Sequence, residues 1–75
     1  MKFRTKWGRY ELDESDMRLY LVHESVSKNG KVTASRMLFK GCSSVFDAVE
    51  YISICDKTEI DQILELSGYD RNIFV

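Results

Sequence analysis

One histidine, two cysteines and a few spaced acids are the side chains in this sequence whose types invite chemistry. His23 is the sole imidazole, so any Ser-His, Cys-His or general acid–base scheme must run through it. No G-x-S-x-G elbow, papain-like cysteine context or Ser-x-x-Lys motif in a supporting setting accompanies it. His23 therefore reads as a partly exposed strand residue. Asp47 and Glu50 lie one helical turn apart, as do Asp61 and Glu65. Such spacing can present carboxylates together, but without a histidine beside them the expectation is a solvated acidic helix face rather than a metal or glycosidase pair. Cys42 and Cys55 form no C-x-x-C pair and no second histidine exists, so a zinc site is not expected. The glycines at 8, 30, 41 and 68 are isolated and build no phosphate-cradling loop. No catalytic, cofactor or metal residues are assigned, and a non-enzymatic protein is expected.

The elements that would position these side chains centre on one stretch. Leu19-Tyr20-Leu21-Val22-His23-Glu24-Ser25-Val26 runs through Lys28-Asn29-Gly30-Lys31 into Val32-Thr33-Ala34-Ser35-Arg36-Met37-Leu38-Phe39. Asn-Gly between β-branched and aromatic runs predicts a hairpin with a two-residue type I′ turn. Lys2–Leu12 reads as a preceding strand with Gly8 as a bulge or bend, joined by Asp13–Asp16 to a strand from about Met17. Ser44 with Asp47 predicts a capped helix through about Cys55, its apolar stripe Val45, Ala48, Val49, Ile52 and Cys55 widened by Phe46, Tyr51 and Ile54. Thr58 with Asp61 predicts the cap of a second helix, with Ile60, Ile63, Leu64 and Ser67 on one face and Gly68 at its end. The tail from Tyr69 to Val75 fits either a short strand or a segment tucked against the helices. The expected fold is α+β, a three-stranded antiparallel meander (β-β-β-α-α) with two helices packed on one sheet face, forming a single domain over residues 1–75.

Size and charge narrow the classes. With 44% apolar residues, 75 residues support one modest core. Net charge is −1, yet residues 1–40 hold nine Lys/Arg against five Asp/Glu and residues 41–75 hold two against seven. This split points to two surfaces of opposite preference. No apolar run approaches the roughly 18 residues of a membrane span, and the basic start lacks a signal-peptide core. A cytoplasmic protein with two free thiols is expected, since the helix would hold Cys42 and Cys55 roughly 18 Å apart.

The type I′ register pairs Lys28 with Lys31, Val22 with Met37, Tyr20 with Phe39 and His23 with Arg36. A core face of Phe3, Trp7, Tyr20, Val22, Val26, Met37 and Phe39 follows. The opposite face would carry Arg4, Lys6, His23 and Arg36 beside Leu21 and Leu38, a cationic row next to an aliphatic one. Arg4, Lys6, Leu21, His23, Arg36 and Leu38 are thus the expected partner-binding residues of a small protein-interaction module that docks an acidic, partly apolar protein. Two alternatives stand beside it. One is an inhibitor or adaptor of the type phages and mobile elements encode, whose acidic helices mimic nucleic acid and block a host enzyme. The other is a nucleic-acid-binding basic sheet. Membrane binding is not expected, because neither helix has a basic polar face. Homodimer formation through an open sheet edge is a further expectation.

Overall fold

The computed structural model describes residues 1–75 and contains four strands, β1 (Lys2–Arg4), β2 (Arg9–Asp13), β3 (Arg18–Val26) and β4 (Val32–Gly41). These are followed by α1 (Val45–Asp56), α2 (Ile60–Ser67) and a 3₁₀ turn at Arg71–Phe74. The strands form one antiparallel sheet in the order β1-β2-β3-β4. The α+β class with an antiparallel meander and two helices is as the sequence indicates; the strand count is not. The expected first strand is a hairpin, because Thr5 folds the chain back. Its hydroxyl accepts from the N–H groups of Trp7 (3.1 Å) and Gly8 (3.0 Å), and its own N–H donates to the Gly8 carbonyl at 2.9 Å. Gly8 closes this turn rather than forming a bulge.

The second correction concerns register. Ser27 and Lys31 close the Asn-Gly loop, with the Ser27 N–H donating to the Lys31 carbonyl and the Gly30 N–H to the Ser27 carbonyl, both at 2.9 Å. Only Gly30 takes a positive φ, at 77°, so three residues span the turn and the ladder slips by one relative to a type I′ loop. Val22 therefore faces Arg36, Leu21 faces Met37, and His23 faces Ser35. A bulge beside Leu19/Tyr20 restores the other register, setting Leu19 opposite Lys40 and leaving Phe39 as the extra residue.

The helices take the face expected to be open: β2 aligns Tyr10 with Leu21 and Leu12 with Leu19, and this apolar block meets them, while the β4 slip brings Met37 to the same side. Phe3, Tyr10, Leu12 and Leu19 lie on the helix side and are buried with Ala48, Val49, Ile52 and Ile63. Leu21 and Phe39 pack against this cluster, and Phe39 stacks on Tyr10 and Tyr51 at 5.9 and 5.1 Å. Tyr20, Val22 and Val26 instead look away from the helices. Trp7 leaves the sheet for the β1–β2 turn, where it is 77% exposed, and Met37 lies on the helix side but beyond the helices' reach.

The Ser44 cap of α1 forms as expected. Its Oγ accepts from Asp47 N–H at 3.0 Å, and Asp47 Oδ2 accepts from Ser43 N–H at 3.0 Å. Phe46 and Ile54 are exposed, so α1 buries a narrower stripe than its composition suggests. Thr58 does not cap α2. It is buried, its carbonyl accepts from the Ser53 hydroxyl at 2.6 Å, and Glu59 occupies the cap position without a side-chain bond. Gly68 ends α2 with φ 77°. The tail tucks against the helices, with Phe74 meeting Phe46 edge-on at 5.0 Å.

Two features of this layout position everything below. The helices cover only β1, β2, the start of β3 and the end of β4, so the distal β3–β4 ribbon projects into solvent and the molecule measures 43 × 25 × 19 Å. The β1 edge is closed by side chains, since Arg4 N–H donates to Ser67 Oγ (2.8 Å) and Lys2 N–H to Tyr69 Oη (3.3 Å).

Candidate partner-binding surface

The face turned away from the helices is built from alternate residues of each strand. Its rows are Lys2-Glu11-Tyr20-Leu38 and Arg4-Arg9-Val22-Arg36, with Glu24 and Ala34 beyond. Like charges face one another at Arg4 and Arg9, and cross-strand acids offset this. Arg9 Nη1 lies 2.6 Å from Glu24 Oε1, and Arg36 Nη1 lies 3.4 Å from Glu11 Oε1. The Arg36 guanidinium also sits 4.6 Å over the Tyr20 ring, a cation–π contact. Such partly exposed pairs contribute little stability individually and chiefly fix where the charges point.

The C-terminal end of α2 rises beside β1 and turns this face into a concavity of about 730 Å³, with Glu65, Leu66, Ser67 and Gly68 as one wall and the sheet as its floor. Lys2 and Arg4 stand in it without an acid at ion-pair distance, while Arg9 and Arg36 are engaged by Glu24 and Glu11. Val22 and Leu66 supply apolar surface.

Of the six residues expected to bind a partner, the structure brings Arg4, Arg36 and Leu38 to the open face. It separates the other three. Lys6 lies in the β1–β2 turn; Leu21 faces the helices and is half-buried against the core; His23 shares Leu21's side of the sheet, out on the ribbon. The cationic row of Lys6, His23 and Arg36 thus does not exist, because the three-residue loop moved Arg36 from His23 to Val22. Lys2, Arg9, Val22 and Leu66 join the surface unforeseen. Leu66 carried a readable signal, being an apolar residue outside the α2 stripe of Ile60, Ile63 and Leu64.

No family model, curated protein or solved structure matches this chain. The site's chemistry must therefore be read from its residues alone. No three His, Cys, Asp or Glu side chains converge in a metal-holding arrangement. No helix is long and apolar enough to cross a membrane. Both cysteines are free. Burial and the neighbouring Asp47 carboxylate push the Cys42 thiol above its ordinary pKa, which keeps it protonated and a poor nucleophile at neutral pH.

One polar cluster lies apart from the open face, beneath the β1–β2 turn. Asp56 Oδ2 accepts from Thr5 Oγ1 at 2.6 Å and Asp56 Oδ1 from Tyr10 Oη at 2.8 Å. Burial first, and then the Asp56 carboxylate, raise the Tyr10 hydroxyl far above the usual tyrosine range. Both donors are consumed in tying α1 to the turn, so the cluster reads as a structural clasp.

Proposed function

We propose that this chain is a small non-enzymatic protein-interaction module whose partner seats an acidic, partly apolar segment in the concavity of the open sheet face. The observation that carries this reading is the pair of unengaged cations, Lys2 and Arg4, at one end of a groove that also offers Val22 and Leu66. Unpaired cations steer an acidic segment into register, and the apolar floor slows its departure. Relative to the surface expected from a type I′ register, the contact set becomes Lys2, Arg4, Val22, Arg36, Leu38 and Leu66.

Affinity capture from the native host, followed by variants tested against the captured protein, decides the matter. Arg4→Glu and Leu66→Asp should each release the partner while far-UV circular dichroism stays unchanged. Retention by both variants, with loss on Glu50→Lys in α1, would overturn this reading in favour of acidic helices that imitate nucleic acid. A nucleic-acid-binding sheet is the second reading, favoured by Trp7, which stands 77% exposed beside Lys6, and opposed by the acids that engage Arg9 and Arg36. Salt-sensitive binding of single-stranded DNA that Trp7→Ala abolishes would select it.

A further inference from the structure

We propose that the free edge of β4 recognises a second copy of this chain, the two pairing antiparallel along Val32–Leu38 about a two-fold axis at Ser35. The run shares Ala34 and Arg36 with the open-face groove and carries Leu38 at its margin, and the test below reads self-association, not capture of the groove's partner.

The two sheet edges are treated differently. On β1 the outward N–H groups of Lys2 and Arg4 are occupied by Tyr69 and Ser67. On β4 the Ser27–Lys31 pair fixes the alternation, so Thr33, Ser35 and Met37 turn their backbone groups to β3 while Val32, Ala34, Arg36 and Leu38 turn theirs outward. No side chain reaches those four. Exposed edges ordinarily carry a charge, a proline or a bulge that blocks pairing. Here Lys31 and the Phe39 bulge bracket the run without interrupting it, and Arg36 is the only charge within it.

The run is complementary to itself in one symmetric register. With Ser35 on the axis, all four outward residues find partners: Val32 meets the partner's Leu38, and Ala34 meets the partner's Arg36, each twice. Val32 and Leu38 are 59% and 54% exposed, so pairing them covers two apolar clusters that water now surrounds. Ala34 is small and lies between Glu24 on β3 and the incoming strand, which leaves the partner's Arg36 room to approach Glu24. Sliding two residues one way sets Arg36 against the partner's Arg36, a like-charge pair; sliding the other way carries Leu38 off the regular strand to the turn. The helix-covered end of β4, where Phe39 and Lys40 contact Tyr51, lies away from the axis, so the two helical layers sit at opposite ends of the joined ribbon. The result is an eight-stranded sheet.

Sedimentation velocity across a concentration series should show a monomer–dimer equilibrium for the wild type. Ala34→Pro removes an outward N–H that no group in the same chain uses, and should give monomer at every concentration with an unchanged circular dichroism spectrum. The register is tested in a Cys55→Ser background. Ser35→Cys brings like positions within roughly 4.5–5.5 Å, inside disulfide range, and should give a covalent dimer on diamide oxidation. Thr33→Cys, offset from its counterpart by roughly 13 Å, should not. A wild type that stays monomeric, a dimer that survives Ala34→Pro, or cross-linking no faster at position 35 than at 33 would each overturn the proposal.

Discussion

Replacing Tyr10 by phenylalanine removes one oxygen from the molecule and tests the clasp directly. Tyr10 is 4% exposed, and its hydroxyl donates to the Asp56 carboxylate at 2.8 Å. A hydrogen bond to a charged group contributes about 1.5–3 kcal/mol. Asp56 keeps its 2.6 Å bond from Thr5, and the ring keeps its contact with Phe39, so the lower end applies: a loss of about 1.5 kcal/mol at pH 7. For a chain of this length total stability is roughly 4–11 kcal/mol, which makes the change easy to measure. The pH dependence supplies the sharper check. Burial raises the folded-state pKa above the unfolded value of 10.0, so above pH 10 the unfolded chain releases a proton that Tyr10 retains. Stability that is whole below pH 10 then falls by about 1.4 kcal/mol per pH unit in the wild type, whereas position 10 of the variant contributes no such fall. The two proteins should become equally stable about one unit above pH 10. Urea unfolding followed by far-UV circular dichroism is the suitable assay, since exposed Trp7 is a poor fluorescence reporter of the core. A neutral Tyr10→Phe at pH 7, or a stability gap that stays constant up to pH 11.5 or so, would refute the assignment.

Other expectations concern single positions. Lys57 ends α1 with φ 52°, so Lys57→Gly should stabilise the fold by about 0.5–1 kcal/mol in the same urea assay. Ser44→Ala deletes the acceptor for Asp47 N–H and should cost about 1 kcal/mol. Thiol titration with a disulfide reagent at neutral pH should be biphasic, with exposed Cys55 reacting quickly and half-buried Cys42 slowly; Cys55→Ser should remove the fast phase.

The helices were legible because their signals are local. The Ser44–Asp47 cap, the Ala48-Val49-Ile52 stripe and Gly68 each act within one or two turns of their own position. The sheet was legible in kind and not in alignment. Asn-Gly marks a hairpin whether two or three residues span it, and only the Ser27–Lys31 closure decides which. That single residue determines whether Met37 lies beside Val22 or beside Leu21, whereas the burial of Leu19 and Leu21 goes with their β2 partners Leu12 and Tyr10. The missed β1–β2 turn depended on the Thr5 hydroxyl, a side-chain-to-backbone bond that composition does not announce. The candidate surface changed accordingly: Arg4, Arg36 and Leu38 reach the open face, while Lys6 is taken by the β1–β2 turn and Leu21 and His23 lie on the side that the helices occupy. Leu66 required knowing that α2 stands beside β1, a long-range fact beyond periodicity.

The projecting β3–β4 ribbon separates reach from folding. Its outer rungs bury nothing in the core, so adding or deleting one residue pair on each strand moves the Lys28–Lys31 tip by about 7 Å while every remaining side chain keeps its orientation. Length at that end can thus drift during evolution, or be engineered, with little penalty to the body that supports it.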